Sequence, residues 1–289
     1  MISIARMWLS CPDMKLARPD VFHPRIVLAG CPKHVAGDGD DDGLVAALRH
    51  RGLHARWLSW DDPDARRADL VILRATHDYA DRLDEFLTWT SGVANLLNAP
   101  AVVAWNADRR YLADLEDRGV PTVPGEVVAP GDRVRLPHTG DVFVSATTGT
   151  GTRRCGDRSA AARYAAELHA AGRSVLVQQA DSAPETVLVF LGGKPSHAFP
   201  ADPDFEIWDV GVAALAAAAA QVGIDASELL YARAHLTGSR LLELQLVEPS
   251  LGFRRLDVGT RDLAQREFAL GVESALQRLG LGPLSHGRP

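Results

Sequence analysis

L-L-E-L-Q-L-V-E-P, residues 241–249, reads as a β-strand running into a loop. Side chains alternate faces along a strand, so Glu243 and Gln245 share one face, with Leu242, Leu244 and Leu246 on the other. A carboxylate beside an amide on one strand face offers oxygen ligands suited to a hard cation such as Mg²⁺ and to phosphate oxygens. The same alternation also describes a half-buried strand with a polar outer face.

Outward from this strand, A-R-A-H-L (232–236), T-V-L-V-F-L (186–191) and S-V-L-V-Q-Q (174–179) are further strand candidates. An alanine-rich helix over 211–224 and a terminal helix over 261–279 accompany them. Short strands near 126–129 and 141–144 and a helix over 159–171 lie farther upstream. P-T-V-P-G (121–125) breaks regular structure, and before it the pattern is different. There R-I-V-L-A-G (25–30), A-R-W-L-S-W (55–60), A-D-L-V-I-L-R (68–74) and A-V-V-A-W (101–105) read as strands. Helices predicted over 44–51, 82–97 and 107–117 alternate with them. Alternation of this kind predicts a parallel, right-handed α/β sheet. The chain is therefore read as α/β plus α+β: an extension over 1–24, an α/β unit over 25–106, and two α+β units over 107–180 and 181–289. Met14 offers a second plausible start.

The 289 residues, 46% hydrophobic and 24% charged, suffice for a sizeable core, which excludes disordered and fibrous classes. Lys and Arg number 31 against 37 Asp and Glu, so a nucleic-acid partner is not expected. The longest apolar run, 211–224, is shorter than the roughly 20 residues of a membrane-spanning helix, and a soluble protein without membrane contact is expected. Cys11, Cys31 and Cys155 form an odd, scattered set, read as free thiols of a cytoplasmic protein. The apolar content is compatible with a homodimer.

Common signatures fail. Asp38-Gly39-Asp40-Asp41-Asp42-Gly43 begins like a calcium loop, but position 12 is Arg49, so the run is read as a solvated turn with carboxylates at a helix start. Gly149-Thr150-Gly151 is followed by Arg154 where a dinucleotide fingerprint needs glycine. Phosphate-loop, H-E-x-x-H and G-x-S-x-G patterns are absent.

Two further segments carry polar chemistry. The loop 147–152 with Arg153 and Arg154 combines backbone N–H groups, hydroxyls and guanidinium groups, as an anion-binding flap or an ordinary hairpin tip does. Arg74-Ala75-Thr76-His77-Asp78-Tyr79 follows an apolar strand at the end where α/β sheets bind ligands, though Thr76 and Asp78 also suit a capped loop and a lone histidine is commonly structural.

Taken in order, these segments resemble an ATP-grasp ligase, near the bacterial group of the cycloserine-forming ligase and glutathione-synthetase-like proteins. The resemblance rests on W-D-D-P (60–63), L-R-A-T-H-D-Y (73–79) where the group reads L-R-S-T-W-D-Y, and W-N-A-D-R-R-Y-L (105–112). It continues through V-L-V-Q (175–178), E-T-V-L-V-F-L-G-G-K-P-S-H-A (185–198), Y-A-R (231–233) and L-E-L-Q-L-V-E-P-S-L (242–251). It implies an ATP-grasp fold behind a Rossmann-like N-terminal domain, with ATP and Mg²⁺ bound, a small-molecule carboxylate phosphorylated, and an amine attacking the acyl phosphate. On that resemblance Arg109, Ser145, Thr150, Gly151, Arg153, Gln178 and Glu185 meet the nucleotide, Glu243 and Gln245 meet Mg²⁺, and Arg233 or Arg74 grips the substrate carboxylate. The chain departs where charge is managed: lysine is usual at Arg109 and at Ser145, E-x-E or E-x-N at Glu243 and Gln245, and aspartate at His235. The resemblance thus implies an altered nucleotide and metal site, in a working ligase or in a noncatalytic descendant that binds a nucleotide, a small acid or a partner.

Overall fold

β1 (Ile26–Gly30) is buried along its whole length, and the computed structural model, which describes residues 23–137, 140–149, 151–180 and 182–282, shows why. It pairs in parallel with its neighbours in a sheet that is covered on both faces. α1 (Leu44–His50), β2 (Ala55–Ser59), β3 (Leu70–Ala75), α2 (Leu83–Ser91) and β4 (Leu96–Leu97) complete this unit, with strand order β2-β1-β3-β4. Ile26, Leu28, Leu70 and Ile72 pack on one side, and Val27, Ala29, Val71 and Leu73 pack with Trp60, Phe86 and Trp89 on the other. Burial on both faces is why β1 and β3 are apolar without alternation. Gly30 ends β1 where an added Cβ would lie 1.9 Å from the Val35 carbonyl oxygen, a contact only glycine permits.

The expected strand at 101–105 is instead a helix, α3 (Pro100–Asn106). Pro100 sits at the helix start, where its fixed φ and missing N–H are tolerated, and Val102 and Val103 enter two different cores. The fourth strand is Leu96–Leu97, inside the helix expected over 82–97, which stops at Ser91.

α4 (Tyr111–Asp117) leads into β5 (Gly125–Val128), β6 (Val142–Ala146), β7 (Thr152–Cys155), α5 (Arg158–Ala170) and β8 (Val175–Gln179). These four strands form a sheet of order β5-β8-β6-β7 with antiparallel pairing. Its Val142, Val144, Val175 and Val177 side carries α5, which Asp157 caps by accepting from the Ala160 N–H at 2.7 Å. Phe143, on the opposite side, joins Val123, Ala180 and Leu242.

The third sheet, order β10-β9-β11-β12, holds β9 (Glu185–Leu191), β10 (Lys194–Phe199), β11 (Tyr231–Thr237) and β12 (Arg240–Gln245), with α6 (Phe205–Val222) and α7 (Val258–Arg278) on its two faces. Among the described residues α6 is long and apolar enough, by length and composition alone, to cross a membrane, which the shorter run 211–224 did not suggest. Its Gly211, Ala214, Leu215 and Ala218 face is buried on the sheet, and an added Cβ at Gly211 would lie 2.7 Å from Leu188 and Phe190 carbons.

One apolar cluster joins the first and third sheets, from Ile26, Leu28 and Leu44 to Val189, Tyr231, Phe253 and Phe268. The Tyr231 hydroxyl reaches three backbone carbonyls, Leu73 at 2.6 Å, Val247 at 3.0 Å and Leu97 at 3.2 Å. The outer edge of β12 is likewise closed by side chains. Asn106 bonds the Leu244 carbonyl and the Leu246 N–H, and the Tyr111 hydroxyl accepts from the Leu244 N–H at 2.8 Å. Asn106 and Tyr111 of W-N-A-D-R-R-Y-L therefore serve the sheet edge, where unpaired backbone groups would otherwise remain.

Candidate active site

Cross-strand register builds the site. Arg233 of β11 lies opposite Gln245 of β12, and His235 lies opposite Glu243. These four side chains line a cavity of about 330 Å³ together with Gly151 and Thr152 from the flap, His77 from the loop after β3, and Glu248 and Ser250 from the loop after β12. All three sheets meet here, at the carboxyl end of the parallel one.

Glu243 is the buried centre. Arg109 forms an ion pair with its Oε1, the Gln245 amide donates to the same oxygen at 2.9 Å, and the Thr152 hydroxyl donates to Oε2 at 3.1 Å. Burial alone would raise the Glu243 carboxyl, but Arg109 first, then the Gln245 amide, Arg233 and His235, reverse this and hold it below the usual carboxylate range. Arg109 also donates to the Ala146 and Gly149 carbonyls, each at 2.7 Å, and Arg173 bonds Thr148, so the flap is fastened from two sides. Arg233 donates to Gln245 Oε1 at 3.0 Å and is half-buried, so burial works against its charge. His235 bonds Glu185 at 3.0 Å, and burial, followed by Arg233, pushes its imidazole down. Glu248 is pushed up by burial, against the opposing pull of His77.

Several expected positions stand elsewhere. Arg74 is buried away from the cavity, held by both oxygens of Asp41 at 3.1 and 2.9 Å and by the Pro249 carbonyl, with its guanidinium 5.0 Å from the Tyr231 ring centre. It is buried as a bridge between Asp41 and the Pro249 carbonyl and does not line the cavity. Its partner corrects the reading of the acidic run as a solvated turn: Asp41 and Asp40 are buried, and Asp40 accepts from Ser250, Gly252 and Arg254. Arg109 lies against the site, but its guanidinium is occupied by the flap and Glu243 rather than open to phosphate. Arg153 projects over the Tyr164 ring on the α5 side, because neighbours along β7 alternate and Thr152 takes the cavity side. Gln178 is buried with its amide on the Val123 carbonyl, and Ser145 is 1% exposed with its hydroxyl unpartnered among the described residues. Glu185 joins Arg154 and His235 at the cavity margin. Thr150 lies outside the described residues, as do Cys11 and all but the last two residues of the extension over 1–24, while Cys31 and Cys155 are free thiols among the described residues.

The phosphate end of a nucleotide fits this arrangement. Gly149 and Gly151 place the flap backbone in left-handed conformations, at φ +84° and +104°, and the orphaned Ser145 hydroxyl stands on the strand paired with Thr152. Mg²⁺ fits less well than expected. Both Glu243 oxygens and the Gln245 carbonyl oxygen already accept from Arg109, Gln245, Thr152 and Arg233. Among the described residues no group of three or more His, Cys, Asp or Glu side chains is arranged around a cation position. Glu243 and Gln245 are thus matched to guanidinium donors within the chain, not to a hard cation.

Glu248 has no role readable from the sequence, which takes Thr152 only as part of the 147–152 loop and His77 as a commonly structural histidine. β12 ends at Gln245, so strand parity says nothing of Glu248, and His77 differs from a structural histidine only by a partner 171 positions away.

Residues 26–98 match the family model described as D-cycloserine synthetase DcsG, N-terminal domain. The cycloserine biosynthesis protein DcsG of Streptomyces lavendulae is 32% identical, over 79% of this chain and 92% of that protein. The crystal structure of D-cycloserine synthetase DcsG is similar with a TM-score of 0.72 at 30% identity, over 88% of this chain and 99% of that one. The D-alanine–D-alanine ligase of Bacillus anthracis, solved with ATP, shares the fold at 11% identity and a TM-score of 0.64, over 89% of this chain and 98% of its own.

Proposed function

The chain belongs to the DcsG family of ATP-grasp ligases, and on that premise we propose that it is an ATP-dependent carboxylate–amine ligase with an altered nucleotide and metal site. The observation that carries the reading is the cavity itself, where Arg233, His235, Glu243 and Gln245 converge under the flap.

Bound ATP supplies the phosphoryl group that converts a carboxylate into an acyl phosphate, from which an amine displaces phosphate. Gly151 would meet the phosphate end through its backbone N–H, beside the Thr152 hydroxyl that donates to Glu243. Arg233 has donors beyond the one on Gln245 and neutralises the substrate carboxylate. Arg109 sets the flap and balances Glu243, so that the cavity wall carries no uncompensated buried charge. A small polar amino-acid-like pair of substrates suits the volume and the polar lining.

A noncatalytic reading, as a nucleotide or small-acid binding protein, is favoured by one observation: Glu243 is already neutralised within the chain. ADP release, measured with ATP against a panel of D- and L-amino acids paired with amine acceptors, separates the two. The ligase reading expects ADP only when a carboxylate and an amine are both present. Binding of ATP without release across the panel would favour the noncatalytic protein.

A further inference from the structure

We propose that His77, oriented by Glu248, is the general base that takes the proton from the attacking amine. This rests on the ligase reading and extends it to a residue at which the resembling group carries tryptophan.

Position comes first. In the loop after β3, Arg74 is bound to Asp41, Asp78 is bound to Trp60 and Arg82, and Thr76 and Tyr79 are buried. His77 is the polar side chain of that loop that lines the cavity, with 53% of its side chain exposed. Its Nδ1 lies 3.1 Å from Glu248 Oε1 and 2.9 Å from Oε2. Glu248 is itself buried and stands behind the ring. A carboxylate accepts only, so Nδ1 carries the hydrogen and Nε2 the lone pair. Among the described residues Nε2 has no partner. An orienting carboxylate, an imidazole and an open nitrogen facing a cavity are the arrangement of an activated base.

The other bases at this cavity are occupied. His235 has its Nε2 on Glu185 and faces Arg233, Glu243 is paired with Arg109, and Glu248 is screened by His77. The groups that set the charge state of His77 are Glu248 after β12, Asp38 after β1 and Arg74 on β3, with Arg233, His235 and Glu243 across the cavity. Glu248 first, then burial in the opposite sense, leaves the imidazole above its ordinary range.

The chemistry balances. The amine lone pair forms the C–N bond at the acyl carbon, the C–O bond to phosphate breaks, and phosphate leaves with that electron pair. The surplus N–H proton passes to Nε2 of His77, and the imidazolium is held beside the Glu248 carboxylate until solvent takes the proton.

The test uses the intact chain and the carboxylate substrate found by ADP release. In each variant, amide formation with the amine substrate is divided by hydroxamate formation with hydroxylamine, a nucleophile unprotonated at neutral pH whose surplus proton passes to water without an enzymic base. For His77→Gln the ratio is expected to fall by about 10²–10⁴, and the acid limb of the pH profile to disappear. Glu248→Gln, which keeps a hydrogen-bond acceptor without the charge, is expected to move that limb to lower pH. A His77→Gln chain with the wild-type ratio and limb overturns the proposal while leaving the ligase reading intact. A wild-type chain that forms no hydroxamate overturns both.

Discussion

Glu243 and Arg109, each about 95% buried, form the ion pair on which the site is built. Removing one partner of a buried pair leaves the other uncompensated, at about 3–5 kcal/mol. Arg109→Met is therefore expected to lower unfolding stability by about that amount in urea, because Glu243 loses its guanidinium and the flap its fastening. A loss below about 1 kcal/mol would mean that Glu243 finds another partner. Ser145→Ala has the opposite expectation. The hydroxyl is buried without a partner among the described residues, so its removal is neutral or stabilising, and a loss above about 1 kcal/mol would reveal a partner. At this scale the sequence was partly readable. Parity placed Glu243 with Gln245 correctly, since that follows from strand geometry alone. The engagement of Arg74 by Asp41, and of Asp40 by residues beyond 249, was not readable, since those partners lie 33 and more than 200 positions apart.

At the scale of elements, the edge of β12 is the vulnerable feature. Tyr111→Phe removes the acceptor of the buried Leu244 N–H and is expected to cost about 1–3 kcal/mol in the same measurement. A change within about 0.3 kcal/mol would show that the edge is satisfied otherwise. Long apolar or periodic elements were readable, as β1, β3, β9, α6 and α7 show. β7, T-R-R-C, and β10, K-P-S-H-A-F, carry too little alternation to be found, and their pairing with β6 and β9 decides them. A-V-V-A-W was misread because a short apolar run has no period of its own, and Pro100 before it favoured the helix.

At the scale of the molecule, the first and third sheets share one core, so the chain couples its titrations to its folding. His197 is buried between β10 and the segment after β12, where its Nε2 faces the Leu251 carbonyl at 2.7 Å. Burial holds its imidazole below the ordinary value of about 6.5. The unfolded chain then binds the proton more readily, so stability is lost as pH falls through about 6.5 toward the folded value, by at most about 1.4 kcal/mol per pH unit. His77 has the opposite sign and acts above about 6.5, where its raised folded value makes stability fall as pH rises. Urea midpoints between pH 7 and pH 5 are expected to decline, with a shallower decline in His197→Gln. An unchanged slope would remove His197 from the account.

The proposed nucleotide site lies where the three sheets meet, and its buried carboxylate is balanced by arginine. Thermal unfolding of the intact chain with millimolar ATP, with and without Mg²⁺, tests it most directly. Occupancy at 100 times the dissociation constant adds about 2.7 kcal/mol, which raises the midpoint by several degrees. That rise is expected, with much of it retained when Mg²⁺ is withheld. No rise at millimolar ATP under either condition would contradict it.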